Sequence, residues 1–244
     1  MRYRAKVSYD GTNFNGWQIQ PEGRTVQKVI QDALFNLCQK EIQITAAGRT
    51  DTGVHALGQV FHFDCDKQFR DIRMAINSQL PDDVRIIECE EADPQFHSRY
   101  DARWKYYSYM LNMGEYNPLQ RNYVYQLGEK LDVEAMRKAG ELFIGEHDFT
   151  SFNATKKSEV ENQVRTIYQL DITERNDVVS FDFVGDGFLR HMIRMLTGTL
   201  VEVGRGRITE EDIRKMLEAC DKNAVHFNAP ACGLYLVQIC YDVF

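Results

Sequence analysis

The stretch Ala47-Gly48-Arg49-Thr50-Asp51-Thr52-Gly53-Val54-His55-Ala56 sets a guanidinium and a carboxylate two residues apart between two glycines. A strand-like run, Ile42-Gln43-Ile44, precedes it, and another, Gln59 to Asp64, follows. Glycine adopts backbone angles that other residues resist, so the segment reads as a tight loop at a sheet edge. Residues two apart in an extended loop face the same way, which directs Arg49 and Asp51 to one side. A carboxylate held there can act as a nucleophile or as a proton acceptor. The same residues also read as a plain turn, with Asp51 bonded to its own backbone and Arg49 solvated.

Further along, Phe188, Leu189, Met192, Ile193, Met195, Leu196, Leu200 and Val201 predict a helix from Phe188 to Val203 that is buried on more than one side. Arg190 and Arg194 lie four apart and would share a face of it. A buried arginine requires a carboxylate or a phosphate, whereas a solvated polar stripe requires neither. From Arg103 to Leu111 the chain reads as an aromatic strand. Alternation puts Lys105, Tyr107 and Tyr109 on one face and Trp104, Tyr106 and Met110 on the other, so only one of Tyr106 and Tyr107 can face a given site. The histidines (55, 62, 97, 147, 191 and 226) have no metal-ligand spacing. His62 and His147 read as structural, and His55 and His97 as loop geometry or contact with a bound partner.

Five segments in order resemble the motifs of the TruA family of tRNA pseudouridine synthases. They are Tyr9-Asp10-Gly11-Thr12 with Phe14, Gly16, Trp17 and Gln18; Gly48 to Ala56; Phe96 to Arg103 with Lys105-Tyr106-Tyr107; Gly187 to Arg194; and Ala229 to Leu236. The resemblance implies isomerisation of uridine to pseudouridine in the anticodon stem-loop of tRNA, at nucleotides 38, 39 and 40. It implies Asp51 as the catalytic carboxylate, Arg194 as the arginine that pairs with it, and Tyr107 as the active-site tyrosine that meets the base. Arg49 becomes the candidate to fill the space left by a flipped base, a step that costs a few kcal/mol. Arg190, Arg205 and Arg207 would meet phosphates, and Leu234 or Leu236 would wall the pocket. The reaction adds and removes nothing, so no cofactor and no metal are expected. The family works as a homodimer with one tRNA lying across both subunits. Two other classes fit parts of the pattern: a ferredoxin-like RNA-binding protein without catalysis would use the sheet aromatics for stacking. A glycosidase-like hydrolase would want two carboxylates, and only Asp51 is evident.

The composition sets the partners and compartment. Of 244 residues 43% are hydrophobic and 27% charged, ordinary for a soluble globular protein large enough to bury a core. No run reaches the length of a membrane span, and the opening residues alternate like a strand. Six scattered cysteines without a Cys-x-x-Cys pair read as buried thiols of a reducing cytoplasm. A net charge of −7 lacks the usual basic footprint of a nucleic-acid binder, so any RNA surface must be local. Arg190, Arg194, Arg205 and Arg207 give one such excess, and Arg99, Arg103 and Lys105 another.

These residues need elements to hold them. Tyr3, Ala5, Val7 and Tyr9 alternate with polar residues as a half-buried strand. Thr25 is placed to cap a helix running to Cys38. A strand near Ile42 to Thr45, the loop, the strand Gln59 to Asp64, a helix from Ile72 to Leu80 and a strand from Val84 to Cys89 follow. This β-α-β-β-α-β order is the ferredoxin-like unit. Beyond a boundary near Asp93-Pro94 come the aromatic strand, a short strand at Tyr123 to Leu127, a helix capped by Asp132, a hairpin of Val164 to Ile172 with Val178 to Val184, the Phe188 helix, a helix capped by Thr209, and a closing strand from Leu234 to Tyr241. The expected fold is α+β: two ferredoxin-like (RRM-like) halves, residues 1–100 carrying the Asp51 loop and 101–244 completing the cleft, as in the pseudouridine synthase fold.

Overall fold

The computed structural model describes residues 1–244. Its elements begin with β1 (Arg2–Tyr9), α1 (Val26–Cys38), β2 (Ile44–Ala46), β3 (His55–Asp64), α2 (Ile72–Asn77) and β4 (Val84–Glu91). There follow β5 (Trp104–Asn112), β6 (Tyr125–Gln126), α3 (Val133–Gly140), β7 (Gly145–Asp148), β8 (Val164–Arg175) and β9 (Val178–Gly185). Last come α4 (Met192–Gly204), α5 (Glu210–Ala219) and β10 (Leu234–Cys240). The chain packs as two compact units, 1–103 together with 235–244, and 104–234. Both units combine a largely antiparallel sheet with helices, the α+β class expected from sequence.

In the first unit, β1 lies between β3 and β4, antiparallel to both, and β2 pairs with β3. That is the ferredoxin-like sheet. Strand β10 adds a parallel neighbour to β3, with Tyr235 opposite His55 and Leu236 opposite Ala56. The closing strand, expected in the second half, therefore belongs to the first. Strict alternation in β1 buries Tyr3, Ala5, Val7 and Tyr9. Its polar face is neutralised across strands, Arg2 by Asp64 at 2.8 Å, Arg4 by Glu90 and Lys6 by Glu88 at 3.3 Å. Helix α1 buries Val26, Ile30, Ala33 and Leu34, one stripe at helical spacing. Thr25 stands at its N-cap in extended conformation, but its side chain makes no capping bond. Asp71 does cap α2, accepting from the Met74 N–H at 2.9 Å, and that helix ends at Asn77, before the Leu80 boundary expected from sequence.

In the second unit, β5 pairs with β9, β9 with β8 and β8 with β7, all antiparallel, while β6 lies parallel to β5. The β8–β9 hairpin turns through Asn176 and Asp177, both at positive φ (51° and 65°), as its tight two-residue connection requires. Asp132 caps α3, and a capping box of Thr209 and Asp212 starts α5. Helix α4 buries every residue but Arg194. It begins at Met192, not at Phe188 as the apolar pattern suggests, because His191 sits at φ 63° and breaks the helical path. Strand β7 was not legible in sequence. No helix is long and apolar enough to cross a membrane. All six cysteines are free, and only Cys65 is buried, contrary to the expectation of generally buried thiols.

Candidate active site

The loop from Ala47 to Val54 joins β2 to β3 in the first unit. It is gripped from beneath. Gln59, fully buried on β3, donates its amide N–H to the Gly48 carbonyl at 3.0 Å. Thr50, 7% exposed, bonds the Tyr9 hydroxyl at 2.7 Å. The backbone N–H of Trp17 donates to the Thr50 carbonyl at 3.1 Å, and the Gly53 N–H to the Phe14 carbonyl at 3.2 Å. With residues 48 and 50 held inward, Arg49 projects into solvent and Asp51 is half-exposed. The loop backbone is thus held at Gly48, Thr50 and Gly53.

The segment Tyr9 to Trp17 is the backing plate of that loop. Gly16 has φ +83°, and a Cβ there would stand 2.6 Å from the Thr50 carbonyl oxygen. Gly11 approaches as closely, since its Cβ would lie 2.0 Å from the Val54 carbonyl oxygen. Phe14, Trp17 and Tyr9 fill the space between, with Tyr9 and Trp17 ring centroids 6.0 Å apart. His55 closes the loop: its Nδ1 lies 3.0 Å from the Gly11 backbone nitrogen and 3.2 Å from Asp10 Oδ1, and its ring stacks on Tyr235 at 4.9 Å.

The central motif is tied to the same sheet. The buried His62 Nδ1 accepts the Ser98 backbone N–H at 3.1 Å, and Ser98 Oγ donates to the Thr45 carbonyl at 2.6 Å. Burial holds the His62 pKa below its ordinary value, with Arg2 acting in the same direction. His97 accepts the N–H groups of Arg99 and Tyr100, which makes it a turn organiser.

The second unit positions the aromatic and the cationic candidates. Tyr107 is buried on β5 in register with Phe183, and the edge of its ring meets Phe188 at 5.3 Å and 80°. Tyr106 points the other way and donates its hydroxyl to Asp182 Oδ1 at 2.8 Å. Burial first, and then that bond, push its pKa up to about 12. Arg194 is locked into the segment after α5: its Nε donates to the Ala229 carbonyl at 2.7 Å, while the Ala229 N–H donates to the Arg194 carbonyl at 3.0 Å. The crossing is close enough that a Cβ on Gly198 would meet Phe227 and Asn228 backbone at 3.0 Å. Farther along, the Tyr109 hydroxyl donates to the Pro230 carbonyl at 2.8 Å, and Gly233 leaves room for the Tyr109 ring. Leu234 is buried at the start of β10.

The other arginines behave differently. Arg190 lies outside α4, so the shared helix face with Arg194 does not exist. Its backbone N–H donates to Thr155 Oγ1 at 3.0 Å and its guanidinium to the Ala154 carbonyl. Arg205 is held by Glu129 at 2.8 Å and Glu202 at 2.5 Å, and Arg207 reaches Glu202 at 3.1 Å. Arg205 is largely enclosed by its two carboxylates, whereas Arg207 is exposed and engages Glu202 through one terminal nitrogen. No group of three or more His, Cys, Asp or Glu is placed to hold a metal ion. Tyr9, Gly16, Gln59 and Phe188 were not singled out from sequence as site residues; the glycines of the first motif were the available signal.

A family model described as tRNA pseudouridine synthase matches residues 5–101 and 139–242. Proteins named tRNA pseudouridine synthase A are similar over nearly the full length. That of an Exiguobacterium species is 45% identical, over 99% of this chain and 98% of its own. Those of a Geobacillus species and of Bacillus subtilis are 44% and 43% identical, each over 99% of this chain and 98% and 100% of theirs. The residues that grip the Asp51 loop and those that lock Arg194 all fall inside the matched ranges, and the chain belongs to the tRNA pseudouridine synthase family.

Proposed function

We propose that this isomerase converts uridine to pseudouridine at positions 38, 39 and 40 in the anticodon stem-loop of tRNA. The observation that supports the reading is the loop geometry: Gly48 and Thr50 are held from beneath, with Arg49 exposed and Asp51 half-exposed beside them. The target uridine leaves the stack, and Arg49 fills the space it vacates. Asp51 acts on the ribose, by attack at C1′ or by removal of the 2′ proton. The N-glycosidic bond breaks, the uracil turns while held, and C5 joins the sugar. Arg194 pairs with Asp51 in the working enzyme, which keeps the carboxylate ionised and oriented. Tyr107 stacks on the base or bonds it and assists loss of the C5 proton. Leu234 lines the pocket, and Arg190, Arg205 and Arg207 meet phosphates. The enzyme works as a homodimer, with one tRNA across both subunits.

Unmodified tRNAs incubated with the enzyme, followed by mapping of pseudouridine, test the assignment. The product is expected at positions 38 to 40 and absent with Asp51→Asn, which retains tRNA binding. Residual Asp51→Asn activity within about tenfold of the parent, roughly 1.4 kcal/mol of barrier, removes Asp51 from the chemistry. Product elsewhere in the tRNA refutes the site assignment. A primary isotope effect from 2′-deuterated ribose marks proton removal.

A further inference from the structure

Beneath the Asp51 loop lies a buried polar group whose hydroxyls the fold itself does not require. Tyr9 is 4% exposed and Thr50 7%, and their hydroxyls meet at 2.7 Å. Gln59, at 0% exposure, donates to the Gly48 carbonyl while its side-chain oxygen accepts the Val60 N–H at 3.1 Å. A phenylalanine and a valine would fill nearly the same volume as Tyr9 and Thr50 without any polar group to bury. What the hydroxyls add is direction. A hydrogen bond fixes the rotation of the Thr50 side chain and seats it beneath the loop, while the Trp17 N–H holds the carbonyl of the peptide leading into Asp51. Gln59 fixes the peptide two residues earlier, so the stretch from Gly48 to Asp51 is held at two points. Burial raises the pKa of the Tyr9 phenol, so its hydroxyl stays neutral in the pocket beneath the loop.

We propose that Tyr9, Thr50 and Gln59 are positioning residues, which fix the carboxylate of Asp51 through the Gly48 and Thr50 backbone without touching the substrate. Small errors of placement are costly for such a group, since a shift of about 1 Å lowers a rate by about 100-fold. The proposal rests on the reading of Asp51 as the catalytic carboxylate.

The test uses Tyr9→Phe, Thr50→Val, Thr50→Ser and the Tyr9→Phe/Thr50→Val pair in the full chain, with Asp51→Asn alongside. Single-turnover rates on unmodified tRNA are measured with tRNA affinity and thermal unfolding. Tyr9→Phe and Thr50→Val are each expected to slow turnover roughly 10- to 100-fold with affinity nearly unchanged. The double variant is expected to be no slower than the worse single one, because one bond is lost only once. Thr50→Ser, which restores the hydroxyl, is expected to recover the rate to within about threefold. Rates near the parent in Tyr9→Phe and Thr50→Val overturn the proposal, as do additive losses or a Thr50→Ser as slow as Thr50→Val. Should Tyr9→Phe not fold, equal rates for Thr50→Val and Thr50→Ser overturn it alone. An active Asp51→Asn instead removes the underlying reading, which separates the two failures.

Discussion

Replacing Arg194 with lysine keeps the charge and removes the fork, and the structure sets what that is worth. The Arg194 Nε is committed to the Ala229 carbonyl at 2.7 Å, which orients the guanidinium plane and aims the two terminal nitrogens. A lysine ammonium gathers its three donors at one point, so it does not reproduce the spacing by which the guanidinium holds the carbonyl and aims its other nitrogens. Hydrogen bonds to charged groups contribute about 1.5–3 kcal/mol. At about 1.4 kcal/mol per factor of ten, their loss in the transition state slows turnover between about 10- and 150-fold. The fold should hold, because the rest of α4 is buried independently of this side chain. Excess enzyme with unmodified tRNA, sampled for pseudouridine over time, gives the rate constant, and filter binding gives affinity in parallel. A folded Arg194→Lys protein turning over within about threefold of the parent would refute the argument. So would a variant whose only defect is weaker tRNA binding, since that places Arg194 in binding alone.

Gly16→Ala is expected to impair turnover from outside the loop: its Cβ would stand 2.6 Å from the Thr50 oxygen at a φ of +83°. Relief by a shift of several tenths of an ångström next to Asp51 costs about tenfold or more in rate, and a fully active, folded variant would contradict it. His62 gives a pH dependence. Its folded pKa lies below the ordinary 6.5, so the unfolded chain takes up a proton there first, and stability present above 6.5 is lost as pH falls through the lower folded value. Denaturant unfolding at several pH values should show that slope, and His62→Asn should flatten it. Sedimentation should give a dimer at working concentration, and tRNA affinity should fall steeply with salt through counterion release; a fully active monomer would sink the dimer proposal.

Much of the fold was legible because it rests on local rules. The alternation of β1, the Asp132 cap and the capping box at Thr209 each declare themselves within a few residues. The start of α4 did not, since the apolar run continues smoothly through Phe188 and Leu189 while His191 turns left-handed to meet a tertiary demand. Arg190 was misplaced for that reason. Strand β7, four residues long and only half-buried, has too little pattern to read. The site divided in the same way. Arg49 and Asp51 stood out by type and spacing, whereas Gln59 looked like one more polar residue in a strand. Its role depends on the Gly48 carbonyl that the fold brings to it. The alternation of Tyr106 and Tyr107 was correct, and the Asp182 bond identifies the side to which Tyr106 belongs. The partners of Arg205 and Arg207 include Glu129, far away in sequence, which no local charge count reveals.

The return of β10 to β3 ties the Asp51 unit to the synthesis of residues 235–244. Residues 1–103 leave the ribosome first, yet the parallel neighbour of β3 and the Tyr235 ring that covers His55 come after the whole of residues 104–234. At roughly 5–20 residues per second the early strands wait several seconds or more for their last partner. A nascent chain stalled before Tyr235 holds Asp51 on a loop whose His55 lacks its cover. Chains truncated before Tyr235 therefore lack both the strand that flanks β3 and the ring that covers His55.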